Sequence, residues 1–212
     1  MIAVIFAMRA ERDAVLSKYK NVKTEEYGGV IFYLTHDFVG ALSGIGKVNA
    51  AHTTALILSR YKPDAIFSMG VSGGLGRSKI MDIVIADRVC QHDFDLSPLG
   101  EARGLYYSVD PKMLAKLRRI LPNAKVGTVA TGDQFIASSV VAKEIAKTFD
   151  AIACDMEAAA IASVARGFGT PFACIRAVSD NPDGSAPDNF EKFTEEASSA
   201  FASAFIRFLE NF

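Results

Sequence analysis

The sequence predicts an α/β sandwich around a mixed, mainly parallel sheet. Short apolar runs of the buried-strand type alternate with helix-period segments, one β-rich stretch breaks in its middle like a hairpin, and neither a repeat nor a linker interrupts the alternation. The 212 residues suit one domain over 1–212.

Ile2 to Ala7 is the first such run, and the helical pattern after Met8 makes it a buried strand feeding a helix. Val30–Leu34 and Phe38–Val39 flank the polar break Thr35-His36-Asp37, so residues 29 to 43 are expected to pair as strands. A helix is expected over Asn49–Tyr61, stopped by Pro63-Asp64. Ala65–Met69 is a second buried strand, running into the glycine-rich stretch Gly70–Gly76, read as a turn. Met81–Ala86 and Ala124–Ala130 are further strands, with a surface helix over Pro111–Leu121 between them. An alanine-rich helix over Glu157–Arg166 closes at Gly167-Phe168-Gly169, and Pro171–Val178 is the next buried strand. Residues 181–189 are expected as a turn-rich loop before a last helix over Phe190–Leu209.

Composition excludes several classes. Half the residues are hydrophobic and 22% are charged, which is a globular and not a disordered balance. The net charge of −1, without a basic run, argues against nucleic acid as partner. The longest clean apolar stretch, Met1–Met8, is far short of the roughly 20 residues of a membrane span. It is not preceded by a basic leader, so a cytoplasmic protein without membrane attachment is expected. Cys90, Cys154 and Cys174 are widely spaced and form no CxxC, which suggests neither a disulfide framework nor a zinc site. A small-molecule partner remains.

In such sheets ligands bind beyond the carboxyl ends of the strands, which selects Met8–Arg12, Gly70–Gly76, Thr131–Ile136 and Ser179-Asp180. Gly40–Val48 superficially resembles a phosphate loop. Five residues separate Gly40 from Gly46, however, and Val48 stands where a magnesium-binding hydroxyl is required, so a tight strand-to-helix turn is the better reading. Gly70-Val-Ser-Gly-Gly-Leu-Gly76 is not GxGxxG and has no partner acid, which weakens a nicotinamide cofactor. Its glycines admit either a ligand or a plain turn.

Four acids stand at chemically useful places: Glu11, Asp155, Glu157 and Asp180. Singly, Asp155 or Glu157 reads as a favourable charge at a helix start, and Asp180 as a turn former. Arg176, inside an apolar strand, requires a buried partner, most simply a carboxylate. Carboxylates meeting over one cleft suit cleavage of a glycosidic bond: one protonates the leaving group, another activates water, and a third holds sugar hydroxyls.

The segments Ala7-Met8-x-x-Glu11, Ser43-Gly44-Ile45-Gly46-Lys47-Val48, Gly70-Val-Ser-Gly73-Gly74, Thr131-Gly132-Asp133-x-Phe135-Ile136, Asp155-Met156-Glu157-Ala158 and Arg176-Ala-Val-Ser-Asp180 run in one order along the chain. In that order they resemble the 5′-methylthioadenosine/S-adenosylhomocysteine nucleosidases of the purine nucleoside phosphorylase/uridine phosphorylase superfamily, from Ile2 to about Leu209. The resemblance implies a three-layer, nucleoside phosphorylase-like sandwich, a homodimer, no cofactor or metal, and hydrolysis of the adenine N-glycosidic bond. By the same resemblance Glu11 activates water and Asp180 protonates the purine at N7. Glu157 binds the ribose hydroxyls, Met156 lies against the sugar, Phe135 stacks on the purine and Ile136 offers it backbone contacts. Ser72 and Gly73 match the turn near the sugar, Phe190 the mobile-loop aromatic over the ligand, and Arg176 positions the acids. Physically, Asp180 needs a raised pKa, which a dry pocket of Phe135, Ile136, Met156 and Val178 would supply. For Phe135 a core position is the competing reading.

Phosphorolysis would require fixed cations. Gly70–Gly76 has none, Arg77 lies just beyond, and Glu11 would repel phosphate although Arg9 and Arg12 flank it, so hydrolysis is favoured over a purine nucleoside phosphorylase. Glu101–Tyr106 is shorter than the segment the family carries there, so the 5′ pocket differs and the 5′ substituent is not ranked. Futalosine hydrolase therefore stays open, as does a binding module without turnover. Leu96 and Leu99 are expected at the dimer interface, and His92-Asp93-x-Asp95 is read as structural, not as a metal site.

Overall fold

The structure, a computed structural model, describes residues 1–182 and 186–211. The chain begins with β1 (Ile2–Phe6), α1 (Arg9–Leu16), β2 (Lys23–Tyr27), β3 (Val30–Leu34), β4 (Phe38–Leu42) and α2 (Lys47–Tyr61). β5 (Ala65–Gly74), β6 (Ile83–Asp95), a 3₁₀ turn at Ser97–Leu99, β7 (Arg103–Ser108) and α3 (Pro111–Ile120) follow. The last third comprises β8 (Lys125–Thr131), α4 (Ser139–Phe149), β9 (Ala151–Asp155), α5 (Ala158–Phe168), β10 (Phe172–Asp180) and α6 (Ala186–Leu209).

Among the described residues the strands join one 10-stranded sheet in the order β10-β6-β8-β9-β5-β1-β4-β3-β2, with β7 added on β6. Because β5 also pairs with β10, the strands β5, β10, β6, β8 and β9 close into a ring, from which β1, β4, β3 and β2 extend. The parallel ladders lie in two blocks, β4-β1-β5-β10 and β6-β8-β9. Antiparallel ladders join them at β10–β6 and β5–β9 and build the edges, so the sheet is mixed and less dominated by parallel pairing than the alternation suggested.

The helices form two separate layers. α1 and α3 pack with α6, and α2 packs with α5. Strands covered on both faces are mostly apolar, and β1, β9 and β10 are buried at every position, with charge admitted only at Asp155, Arg176 and Asp180.

The expected hairpin is β3–β4, but it also carries β2, whose KTEEY sequence is polar because it forms the sheet edge. The glycine-rich stretch is the larger correction. Gly70–Gly74 continues β5 as a buried strand and does not turn, paired to β10 on one side and β9 on the other. Its glycines serve close approach: a Cβ at Gly70 would overlap the Glu11 carboxylate, and one at Gly73 would press on Cys154 Sγ at 3.0 Å. The last helix begins at Ala186, four residues before the expected Phe190. Of the loop expected over 181–189, residues 183–185 lie outside the described residues and those from Ala186 onward are helical.

An aromatic cluster fixes α6 to the sheet. Phe205 is fully buried, with its ring centroid 5.5 Å from that of Phe38 and 5.4 Å from that of Phe67, both edge-on. Phe205→Ala should lower unfolding stability by about 3–5 kcal/mol in urea titrations, from lost transfer energy plus the cavity left behind. A loss under about 1 kcal/mol would show that this cluster does not anchor the helix.

Candidate functional site

A cleft of ≈ 580 Å³, counted with the solvent at its open mouth, lies at the carboxyl ends of β1, β5, β9 and β10, where ligands bind in such sheets. Glu11, Glu157 and Asp180 all line it, although they are far apart in the chain. Ser72, Gly73, Phe135, Ile136, Met156 and Phe190 line it as well. Arg176 does not: it lies behind the wall, 2% exposed. Val178, expected in the lining, is likewise absent from it and fully buried in β10.

Glu11 is held by main-chain donors. It sits in the first turn of α1, where Oε2 accepts the N–H groups of Ala7 at 2.8 Å and Met8 at 2.9 Å, while Oε1 accepts from Val71 N–H at 2.9 Å. Burial pushes its carboxyl above the usual glutamate value, opposed by these three N–H groups and by the Arg176 charge. A carboxyl raised in this way is a better proton acceptor than an ordinary glutamate.

Asp155 and Glu157 divide what looked like one helix-start function. Asp155 Oδ2 accepts Ala158 N–H at 2.9 Å and so caps α5, while Oδ1 accepts the Thr131 hydroxyl at 2.6 Å. Asp155 is also the carboxylate that Arg176 required: the guanidinium donates to Oδ2 through Nε at 3.0 Å and through Nη2, and Nη2 further reaches Ser68 Oγ at 2.7 Å. Glu157 occupies the N-cap of α5 yet makes no capping bond there. Its Oε1 instead accepts Gly46 N–H, 2.8 Å away at the start of α2. Burial, then the neighbouring Asp155 charge, raises the Glu157 carboxyl above its ordinary 4.5.

Asp180 ends β10, 2% exposed, and its Oδ1 accepts the Ser179 hydroxyl at 2.8 Å. Ser72 Oγ, in the adjacent strand β5, is buried and has no hydrogen-bond partner among the described residues, which leaves it available to a ligand. Phe135 is no core residue: it is 47% exposed and meets Phe190 edge-on, with centroids 5.5 Å apart. Phe190 comes from α6 and not from a loop. The lining also includes Ala7, Met8, Ile45, Val71, Gln134, Cys154, Asp155 and Ser179; Gln134 and Cys154 were not singled out by sequence as site residues. Cys154 belongs to β9, whose short run Ala-Ile-Ala-Cys was the available signal.

Among the described residues the lining contains no Lys or Arg. Arg77 is engaged by the main-chain oxygen and carboxylate of Asp150, and Arg12 by Asp13 and Tyr33. Asp93 and Asp95, weighed as a metal motif, bind Lys47 and Arg103 respectively.

Residues 1–210 match the phosphorylase superfamily. The chain is 35% identical to the 5′-methylthioadenosine/S-adenosylhomocysteine nucleosidase of Hydrogenovibrio crunogenus, over 98% of this chain and 97% of that protein. It is similar to the crystal structure of S-adenosylhomocysteine nucleosidase from Streptococcus pyogenes in complex with 5-methylthiotubericidin, with a TM-score of 0.95 and 33% identity over 99% of this chain and 96% of that one. A futalosine hydrolase structure from Helicobacter pylori is also alike, with a TM-score of 0.95 and 28% identity over 100% of this chain and 97% of that one.

The raised Glu157 carboxyl has a consequence for stability. Above pH 4.5 the folded protein holds this proton more tightly than the unfolded chain does, so stability falls as pH rises through that window. Glu157→Gln removes the titration and keeps an oxygen for Gly46. Its melting temperature should therefore drop less than that of the unmodified protein between pH 4.5 and neutrality. Parallel curves would show that Glu157 is not so shifted.

Proposed function

Because the chain belongs to the phosphorylase superfamily, within the 5′-methylthioadenosine/S-adenosylhomocysteine nucleosidases, we propose that it hydrolyses the N-glycosidic bond of 5′-substituted adenine nucleosides and releases adenine. One observation carries this reading: four acids, Glu11, Asp155, Glu157 and Asp180, line a single, largely apolar cleft that among the described residues has no cation to hold phosphate.

The base lies between Phe135 and Ile136, with Phe190 over it, and Asp180 donates a proton to N7. Protonation lets adenine leave as a neutral molecule instead of an anion, a gain of about 10²–10⁴ typical of general acid catalysis. As the C1′–N9 bond breaks, positive charge builds on the sugar. Glu11 takes a proton from a water that attacks C1′, so the water oxygen ends on the sugar and its proton on Glu11. Glu157 accepts from the ribose hydroxyls, Met156 packs on the sugar, and the unsatisfied Ser72 hydroxyl gains a partner in the substrate or the water. Arg176 acts from behind, holding Asp155 and lowering the cost of the charged acids.

The protein acts as a homodimer in the cytoplasm, on this proposal. Leu99 is 77% and Val48 79% exposed, alongside Leu96 and Leu105, which is apolar surface that a second copy would cover. All three cysteines are free and buried, as suits a reducing compartment. No helix among the described residues is long and apolar enough to cross a membrane. The likeness to a futalosine hydrolase supports a second reading with the same chemistry and a different 5′ group.

Incubation with methylthioadenosine, with and without phosphate, tests the proposal. Adenine and free methylthioribose are expected in both; a ribose 1-phosphate would indicate a phosphorylase, and unchanged substrate a binding module or the futalosine reading. Asp180→Asn should remove most turnover, by about 10²–10⁴, while circular dichroism stays unchanged. A near-normal rate would reject its acid role.

A further inference from the structure

The segment that resembles a phosphate loop holds carboxylates of its own chain instead. At the start of α2, Gly46 N–H donates to Glu157 and Lys47 N–H donates to Asp133 Oδ1, each at 2.8 Å. Gly46 has φ 98°, a conformation that favours glycine, and this aims its N–H at the cleft wall. The Lys47 ammonium then bonds Asp93 Oδ1 at 2.6 Å and lies 3.8 Å from Asp133 Oδ2. Asp93 Oδ2 closes the circuit by accepting Asp133 N–H at 2.9 Å.

We propose that Lys47 is a positioning residue: with Asp93 and Asp133 it braces the 43–47 turn to the 131–136 segment and so fixes Glu157 and Phe135 relative to each other. The inference rests on the nucleosidase reading for what those two residues bind. Glu157 receives a main-chain donor, Gly46 N–H, from this turn, and Phe135 follows Asp133 by two positions. Lys47 itself does not line the cleft. The main-chain donors on Glu11 (Ala7, Met8 and Val71 N–H) and the Ser179 hydroxyl on Asp180 come from outside this circuit. Loosening the brace therefore weakens the grip on sugar and base without disarming the acids that break the bond.

Lys47→Met should raise KM about fivefold with a much smaller change in kcat, the scale of a half-buried ion-pair network acting on ground-state binding. Lys47→Arg should restore much of the KM. Adding Asp93→Asn to Lys47→Met should cost less than the sum of the two single changes, because both remove one circuit. Hydrogen exchange on the ligand-free protein gives a readout that does not need turnover: main-chain amides in 43–47 and 131–136 should speed up together in Lys47→Met. Unchanged KM, or faster exchange confined to 43–47, would overturn the brace. An unmodified protein that cleaves no adenine nucleoside would defeat the functional reading alone, and the exchange result would still decide the brace.

Discussion

A single buried guanidinium keeps this cleft together. Four acids, Glu11, Asp155, Glu157 and Asp180, are each almost removed from water, and so many carboxylates cannot share a dry space uncompensated. Arg176 is the compensating charge. It reaches from β10 to Asp155 at the end of β9 and to Ser68 in β5, so it also ties together strands of the closed ring. Its charge is felt at Glu11 and Glu157 without its touching the cleft. Removing one partner of such a pair leaves the other buried and uncompensated, which is far costlier than losing a surface ion pair.

The remaining support is main-chain. The carboxyl ends of parallel strands and the starts of the helices after them expose N–H groups toward the same side of the sheet. Glu11 and Glu157 are fastened by such groups, and the glycines of β5 allow the approach. Fold and chemistry are thus coupled: the topology that gathers the strand ends also furnishes donors that keep the acids fixed. Fixed acids need no reorganisation as charge develops on the sugar, which is how a preorganised site lowers a barrier.

Much of this was legible in the sequence because buried strands leave uninterrupted apolar runs, as β1, β5 and β10 do. The acids stood out for following those runs. β2 escaped because an edge strand carries charge, and β7 because Arg103–Ser108 is mostly exposed. β9 was missed because its four apolar-to-small residues before Asp155 leave too short a trace. Gly70–Gly74 misled for a different reason. Glycine in sequence usually signals a turn, and only the spatial neighbour Glu11 explains why a strand carries it here. That Arg176 would pair with a carboxylate was predictable from its apolar setting; that the partner is Asp155, which frees Glu157 for the cleft, depends on the register of strands distant in the chain.

The most direct measurement is a crystal structure of this protein with an uncleavable methylthioadenosine analogue in which carbon replaces N9. The account predicts the purine N7 edge within hydrogen-bond distance of Asp180, the ribose hydroxyls on Glu157, and an ordered water between Glu11 and C1′. A purine seated against Glu11, or a sugar out of reach of Glu157, would contradict it.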